Sequence, residues 1–117
     1  MGKRKTLTVK MRIRIYVGDR MLGPGKMELL GYIDATGSLA AAAKKMRMSY
    51  MRAWTLVQNL NQASDQPMVE MHRGGGGGGG AKVSEFGKKI LALYQSMERE
   101  SIKAATPYRR KLAKLLE

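Results

Sequence analysis

Residues 35–61, ATGSLAAAAKKMRMSYMRAWTLVQNLN, decide the fold of this chain. Ser38 and Ser49 are of a type that caps helices at their N-termini, and each precedes a segment that favours a helix. Only a short turn separates these two segments. A helix, a tight turn and a second helix within about 25 residues predict a helix-turn-helix over residues 38–62.

The second of these helices, over residues 49–62, is expected to bury one face. Apolar residues follow the i, i+3, i+4, i+7 rule at Tyr50, Ala53, Trp54, Val57 and Leu60. The only tryptophan lies in the middle of this stripe, and we therefore predict that Trp54 is a core residue. The opposite face carries polar and basic side chains and is the predicted recognition surface.

Upstream, the sequence predicts a strand over residues 6–17 and a helix that begins at Pro24. Apolar and polar residues alternate almost perfectly along the predicted strand, which is typical of a half-buried strand with a basic outer face. Proline is well suited to the first position of a helix. Thr36 and Gly37 are expected to end that helix just before the helix-turn-helix.

Downstream, residues 68–84 predict a β-hairpin, which we call the wing. Met68 to Arg73 favours a strand, seven glycines follow, and residues 81–83 favour the returning strand. Without Cβ atoms, glycine N–H groups can approach phosphates closely. A flexible run of seven residues spans about 15 Å, which suits contact with a DNA backbone or with a minor groove about 6 Å wide.

The glycine run admits two other interpretations. A P-loop requires Gly-Lys-Ser/Thr directly at the start of a helix, but here the order is Gly80-Ala81-Lys82-Val83-Ser84, so the spacing argues against a nucleotide hydrolase. A passive low-complexity loop is the second interpretation. We prefer the wing because the run follows a helix-turn-helix in register.

A long helix is predicted from Glu85 to about Ala105, capped by Ser84. Its apolar stripe comprises Phe86, Ile90, Leu93, Tyr94 and Met97. Its length of about 30 Å exceeds what one small core needs. Pro107 is expected to break it, leaving a short amphipathic tail. The predicted fold is mainly α with a small β part. It comprises a winged helix-turn-helix domain over residues 1–87 and a long helix with its tail, the expected site of dimerisation, over residues 85–117.

Charge points to the class of partner. The chain carries 22 Lys and Arg against 9 Asp and Glu, a formal net charge of +13, which predicts binding to phosphate backbones or anionic surfaces. Cysteine is absent, so disulfides and thiolate metal sites are excluded, and we expect a reducing, cytoplasmic location. Neither a membrane span nor a secretory signal is predicted. Residues 1–6 match the short myristoylation pattern, which is common by accident.

Three groups of residues are candidates for DNA binding. The recognition helix offers Ser49, Tyr50, Met51, Arg52 and Thr55. The wing offers Arg73, Gly74, Gly75, Gly76, Gly77, Gly78, Gly79, Gly80 and Lys82. Candidate phosphate contacts are Ser38, Lys44, Lys45 and Arg47. Arginine pairs bidentately with guanine, whereas tyrosine and methionine make apolar contact with a thymine methyl. A solvated helix charge remains the alternative for Arg52, and a core position remains the alternative for Tyr50.

Catalysis and cofactors have no candidate residues. His72 is the only histidine and is interpreted as a polar wing residue rather than as a metal ligand. No Ser/His/Asp set and no pair of carboxylates is recognisable. We therefore predict neither an enzyme nor a metal or cofactor site.

The segment quoted above, followed by residues 68–87, MVEMHRGGGGGGGAKVSEFG, resembles the N-terminal DNA-binding domain of the ModE family of molybdate-responsive regulators. It is more distantly similar to the winged helix of LysR-type regulators. The resemblance covers roughly residues 7–100. It implies a homodimer on operator DNA, joined through the long helix at residues 95–105, with recognition by Ser49, Tyr50, Arg52 and the wing.

The resemblance is not complete. Family members usually carry arginine where Met71 stands, and full-length members continue into molybdate-binding domains that residues 1–117 do not match. We therefore expect either a stand-alone DNA-binding member or a separate effector-binding partner. Two alternative functions stay open: an oxyanion-binding protein, such as one for molybdate, that uses the glycine loop as an anion nest, and a sequence-neutral architectural DNA-binding protein.

Overall fold

Helices and short hairpins follow one another in the order that the sequence predicts, in a computed structural model that describes residues 6–72 and 80–117. The elements are β1 (Ile15–Val17), β2 (Arg20–Leu22), α1 (Pro24–Thr36), α2 (Leu39–Lys45), α3 (Tyr50–Asn61), β3 (Val69–His72), β4 (Gly80–Val83) and α4 (Glu85–Leu115). The predicted fold class, mainly α with a winged helix-turn-helix and a long C-terminal helix, is confirmed.

Local signals set where the helices start and stop. The Oγ atoms of Ser38, Ser49 and Ser84 each accept a hydrogen bond from a backbone N–H in the first turn of α2, α3 and α4, at 3.0–3.1 Å. Such a cap stabilises a helix by about 1 kcal/mol. Gly37 ends α1 in the left-handed region, with φ of 69°, and its N–H donates to the Ile33 carbonyl oxygen at 2.8 Å.

The core lies where α1, α2, α3, the wing and the first turns of α4 meet. Its most completely buried side chains include Leu29, Leu30, Ile33, Val57, Leu60 and Val83. Ala42 and Ala43 are also buried and allow α2 to approach its neighbours closely. The wing strands pair antiparallel, with Val69 opposite Val83 and His72 opposite Gly80. Apolar burial of this kind contributes roughly 25 cal/mol per Å² and is the main stabilising term of the fold.

The strand predicted over residues 6–17 is paired only at its end. Ile15–Val17 forms a hairpin with Arg20–Leu22 around Gly18, which has φ of 63°, whereas residues 6–14 pair with no strand in the described part of the chain. The alternation in burial is present over residues 6–16, but a ladder also needs a neighbouring backbone. The prediction was therefore right about the buried face and wrong about the length.

Tyr94 ties the N-terminal segment to α4. Its hydroxyl donates to the Ile13 carbonyl oxygen, and its side chain is 2% exposed. Burial raises the pKa of Tyr94 above its ordinary value, the negative charge of Glu98 raises it further, and Arg14 lowers it. The phenol therefore keeps its proton at neutral pH and remains a donor.

The predicted break at Pro107 does not occur, because α4 continues through it to Leu115. A proline removes one hydrogen bond of the helix, but its fixed φ is itself helical. The carbonyl that loses its donor belongs to Lys103, an exposed residue, so water can satisfy that oxygen. The helix loses one internal bond without leaving a buried polar group unpaired.

The predicted apolar stripe of α4 is also shifted. Gly87, Leu91 and Tyr94 are buried, whereas Leu93 is 65% exposed and Met97 is exposed as well. The reason is the close contact of Gly87 with the wing, which sets the i, i+4, i+7 row that starts there on the core side of the helix, where Tyr94 reaches the N-terminal segment. The positions next to that row are left facing solvent.

Candidate nucleic-acid interface

Helix α3 buries one narrow face in the core, keeps Leu56 half-buried beside it and exposes the side chains of its first turns that point away from the core. Ala53, Val57 and Leu60 are each 0% exposed. Trp54 is 41% exposed, so its prediction as a core residue is wrong. Successive residues of a helix are about 100° apart, which places Trp54 well to the side of the stripe that these small side chains fill. Tyr50 is 48% exposed, which decides between its two interpretations in favour of the surface.

The polar candidates at the start of α3 are exposed but differ in which of their hydrogen-bonding groups are free to contact a ligand. Ser49 Oγ accepts from the Arg52 N–H at 3.1 Å, so Ser49 is a cap whose own hydroxyl proton can still reach an anion. The Thr55 hydroxyl donates to the Met51 carbonyl oxygen at 3.0 Å and is already engaged. Arg52 is exposed, and its guanidinium carries five N–H donors. Arg52 is therefore the strongest hydrogen-bonding group on the outer face.

Basic side chains lie at the turn that leads into α3. Lys44 and Lys45 occupy the last turn of α2, where cations also stabilise the negative end of the helix dipole. Arg47 lies in the turn itself with φ of 55°, a conformation that costs a non-glycine residue about 1 kcal/mol. All three are exposed. Ser38 is half-buried and serves as the cap of α2. The cations and Arg52 lie within eight residues of one another along the chain.

The described part of the wing presents one basic candidate, Lys82. It is exposed and lies directly opposite Glu70 in the strand ladder, so part of its charge is balanced by a neighbouring carboxylate. Gly80 is half-buried where it begins β4. Arg73 and Gly74 to Gly79, the rest of the predicted wing site, lie outside the described residues, as does the myristoylation pattern up to Lys5.

Asn61, at the end of α3, joins the wing to this helix by hydrogen bonds. Its Nδ2 donates to the Val69 carbonyl oxygen at 2.9 Å, and its Oδ1 accepts from the backbone N–H groups of Met68 and Val69 at 2.9 and 3.0 Å. On the other strand, the Ala81 N–H donates to the Gly37 carbonyl oxygen at 3.0 Å. The two strands are thus held against both ends of the helix-turn-helix.

Sequence reasoning did not single out Asn61. The available signal was an asparagine in the last turn of a helix before a turn, where side chains often bond to nearby backbone. That signal predicts a local hydrogen bond but does not identify the strand as the partner.

Two further searches cover only residues 6–72 and 80–117. In that part of the chain, no group of three or more His, Cys, Asp and Glu side chains is placed to hold a metal ion. No helix formed by those residues is both long and apolar enough to cross a lipid bilayer.

Comparison with known proteins identifies relatives of this chain. No protein-family model matches it. The transcriptional regulator ModE of Haemophilus influenzae is 32% identical over 93 residues, which cover 80% of this chain and 34% of that protein. The DNA-binding transcriptional dual regulator ModE of Escherichia coli K12 is 33% identical over 98 residues, 84% of this chain and 36% of that protein.

The chain is similar to the ModE family over most of its length. The molybdenum-pterin-binding protein MopA of Rhodobacter capsulatus is a further relative, 37% identical over 87 residues, 74% of this chain and 33% of that protein. The chain spans about a third of the length of the curated ModE and Mop relatives it matches. The relationship to the ModE family thus confirms the resemblance that the helix-turn-helix and wing sequences indicated.

Proposed function

We propose that this chain is a sequence-specific, duplex-DNA-binding regulator of transcription that acts as a homodimer in the cytoplasm. Helix α3 enters the major groove, and the glycine-rich wing lies on the backbone or in the minor groove. The observation that carries the proposal is the exposed outer face of α3 with Arg52, preceded in the chain by the exposed Lys44, Lys45 and Arg47, in a chain similar to ModE regulators. Residues 1–87 are the DNA-binding domain in this proposal.

The candidate residues have different roles in this proposal because their side chains differ in chemistry. Arg52 reads a base, because a guanidinium matches the O6 and N7 atoms of guanine in the major groove. Lys44, Lys45 and Arg47, with the Ser38 and Ser49 caps and Lys82, contact phosphates and set the register of the protein on the duplex. The wing, including Arg73 and the glycines that follow it, adds contacts beside the groove that α3 occupies.

The homodimer is proposed to form through residues 85–117. Beyond Tyr94, α4 leaves the core, yet Met97, Ile102, Leu112, Leu115 and Leu116 are between 40% and 81% exposed. An exposed apolar surface of this extent is typical of an interaction site. Two copies joined along α4 bury these side chains and place two recognition helices on one duplex, which requires an operator with twofold symmetry.

An architectural protein without sequence preference is the main alternative, since the net charge of +13 would serve it equally well. A sequence-specific regulator and an architectural protein differ in how the removal of one base-reading side chain changes DNA binding. Loss of a phosphate contact weakens binding to all sequences alike, whereas loss of a base contact relaxes specificity at one position.

Arg52→Ala is expected to relax the preferred DNA sequence at one position of each half-site. Selection from a random duplex pool at about 0.15 M salt, followed by sequencing, should enrich an inverted repeat with wild-type protein. With the variant, discrimination at the guanine position should fall by about 1–3 kcal/mol.

Arg12→Ala removes the same charge from the N-terminal segment, outside both the helix-turn-helix and α4, and should leave the preferred sequence unchanged. Binding without any enriched sequence, equal in wild type and Arg52→Ala, would contradict the proposal and support the architectural alternative.

Ile102→Glu is expected to dissociate the dimer. Ile102 is 46% exposed on α4, and a carboxylate there would have to be desolvated in an interface between two helices. Light scattering should report a monomer, and affinity for an inverted repeat should fall by about a hundredfold or more while affinity for one half-site is retained. Gln66→Glu introduces the same charge at an exposed polar position outside α4 and should remain dimeric. A monomeric wild-type protein at micromolar concentration would refute the dimer.

A further inference from the structure

The outer face of α3 carries more apolar surface than a solvated helix needs. Tyr50, Met51 and Trp54 are 48%, 65% and 41% exposed, and we call them the outer apolar patch. Single exposed apolar residues are ordinary on protein surfaces, but three within five residues form a contiguous area. The patch takes no part in the core, which is completed on this helix by Ala53, Val57 and Leu60.

The three side chains share one side of the helix. Trp54 lies four residues after Tyr50 and three residues after Met51, and both spacings bring side chains together on a helix surface. Their positions belong to the first turns of α3, beside the turn from α2. The patch therefore lies at the N-terminal end of α3, which directly follows the basic residues of α2 and of the turn.

Charge around the patch restricts what can cover it. Lys44, Lys45, Arg47 and Arg52 are exposed close to it in the chain. A second copy of this positively charged surface would bring like charges together, and a lipid bilayer would select a longer apolar face than one and a half turns. A duplex offers phosphates to the cations and apolar groups to the patch, and this complementarity favours DNA as the occupant.

The apolar groups that a duplex offers in its major groove are the C5-methyl groups of thymine. Met51 has no hydrogen-bond donor, and the Thr55 hydroxyl next to it is engaged with the Met51 carbonyl oxygen. At Met51 and Thr55, α3 therefore offers no free hydrogen-bond donor, and its apolar atoms there suit contact with a methyl group. Arg52 projects from a different side of the helix, since neighbouring residues are about 100° apart.

We propose that Met51 and Trp54 select thymine through its C5-methyl group, at positions of the operator distinct from the guanine that Arg52 reads. The inference rests on the proposed function, because it assigns a chemical target to part of the recognition helix. Trp54 gains a role that its interpretation as a core residue excluded, and Tyr50 forms the edge of the same patch.

Replacement of single thymines by deoxyuridine tests this directly with wild-type protein. An A·U pair keeps every donor and acceptor of an A·T pair and lacks only the methyl group. In the duplex obtained by selection, Kd should rise about fourfold at one or two thymines of each half-site, the value expected for one buried methyl. Kd should stay within twofold at the remaining thymines.

The variants Met51→Ala and Trp54→Ala identify the residues responsible. Both side chains are exposed, so the variants should fold, which circular dichroism checks. Each variant should bind the thymine and deoxyuridine duplexes equally at the position it reads. Tyr16→Ala is the control, because Tyr16 is an aromatic residue 68% exposed on β1, outside the helix-turn-helix; it should keep the fourfold ratio.

Three results would overturn the inference. Sequence-specific binding that is insensitive to deoxyuridine at every position would refute methyl recognition while leaving the proposed function intact. Methyl sensitivity that persists in both variants would assign it to other residues. A lower molecular mass of Met51→Ala or Trp54→Ala in light scattering would show that a second copy covers the patch. Absence of any preferred sequence would instead refute the proposed function itself.

Discussion

Gly87→Ala is expected to destabilise the fold by about 2–4 kcal/mol, although alanine is normally the better helix former. A Cβ atom at position 87 would come within 2.5 Å of the Met68 carbonyl oxygen and 2.9 Å of Val83 Cγ1. The first neighbour is backbone and cannot rotate away, so the start of α4 has to move off the wing. Thermal unfolding should show Tm lowered by about 10 °C.

Gly31→Ala is the matched control, since Gly31 lies within α1 and a Cβ there would meet nothing within 4 Å. This variant should be more stable than wild type by about 0.5–1 kcal/mol, because alanine loses less backbone entropy in a helix than glycine. Opposite signs for the two substitutions are the expected outcome. A stabilised Gly87→Ala protein would show that the close contact between α4 and the wing is absent in solution.

Asn61→Ala should destabilise the fold by about 2–4 kcal/mol, because three hydrogen bonds to backbone are lost together. Met68 and Val69 are 1% and 2% exposed, so their N–H groups and the Val69 carbonyl would lose partners away from solvent. Urea unfolding monitored by circular dichroism measures the loss. DNA affinity should fall as well, since the wing is no longer held against α3.

Asn59→Ala provides the comparison on the same helix. Among the described residues, the Asn59 side chain makes one hydrogen bond, accepted from Arg20 Nη1 at 3.3 Å, and its loss should reduce stability by less than about 1 kcal/mol. Asn61→Asp keeps the acceptor and removes the donor, so its stability should lie between wild type and Asn61→Ala. Equal losses for Asn59→Ala and Asn61→Ala would contradict the role given to Asn61.

Elements specified by neighbouring residues could be predicted from the sequence. Ser38, Ser49 and Ser84 cap helices because the acceptor and the N–H it satisfies lie three residues apart. Pro24 and Gly37 bound α1 for equally local reasons. The helix-turn-helix and the wing follow from these limits together with the apolar periodicity, and the family assignment follows from their combination.

Features that depend on distant neighbours could not be predicted. Apolar spacing alone does not show that Ala53 and Val57 fill the space beside α3 and leave Trp54 outside. Pairing of residues 6–17 depends on whether another backbone lies beside them. Asn61 acquires its three partners only once β3 is in place. The features that were not predicted share one cause, because each depends on packing between segments that are distant in the sequence.

The length of α4 beyond the core amplifies small changes in the angle at which the helix leaves the domain. Gly87 packs it against the wing, Tyr94 joins it to the N-terminal segment, and the helix then runs unbroken to Leu115. From Tyr94 to Leu115 the free arm is about 32 Å long. A tilt of about 10° at its root therefore carries the far end through about 5 Å, by the same rise per residue. In the proposed dimer on DNA, a change in the angle between the two α4 helices would therefore alter how both wings meet the duplex.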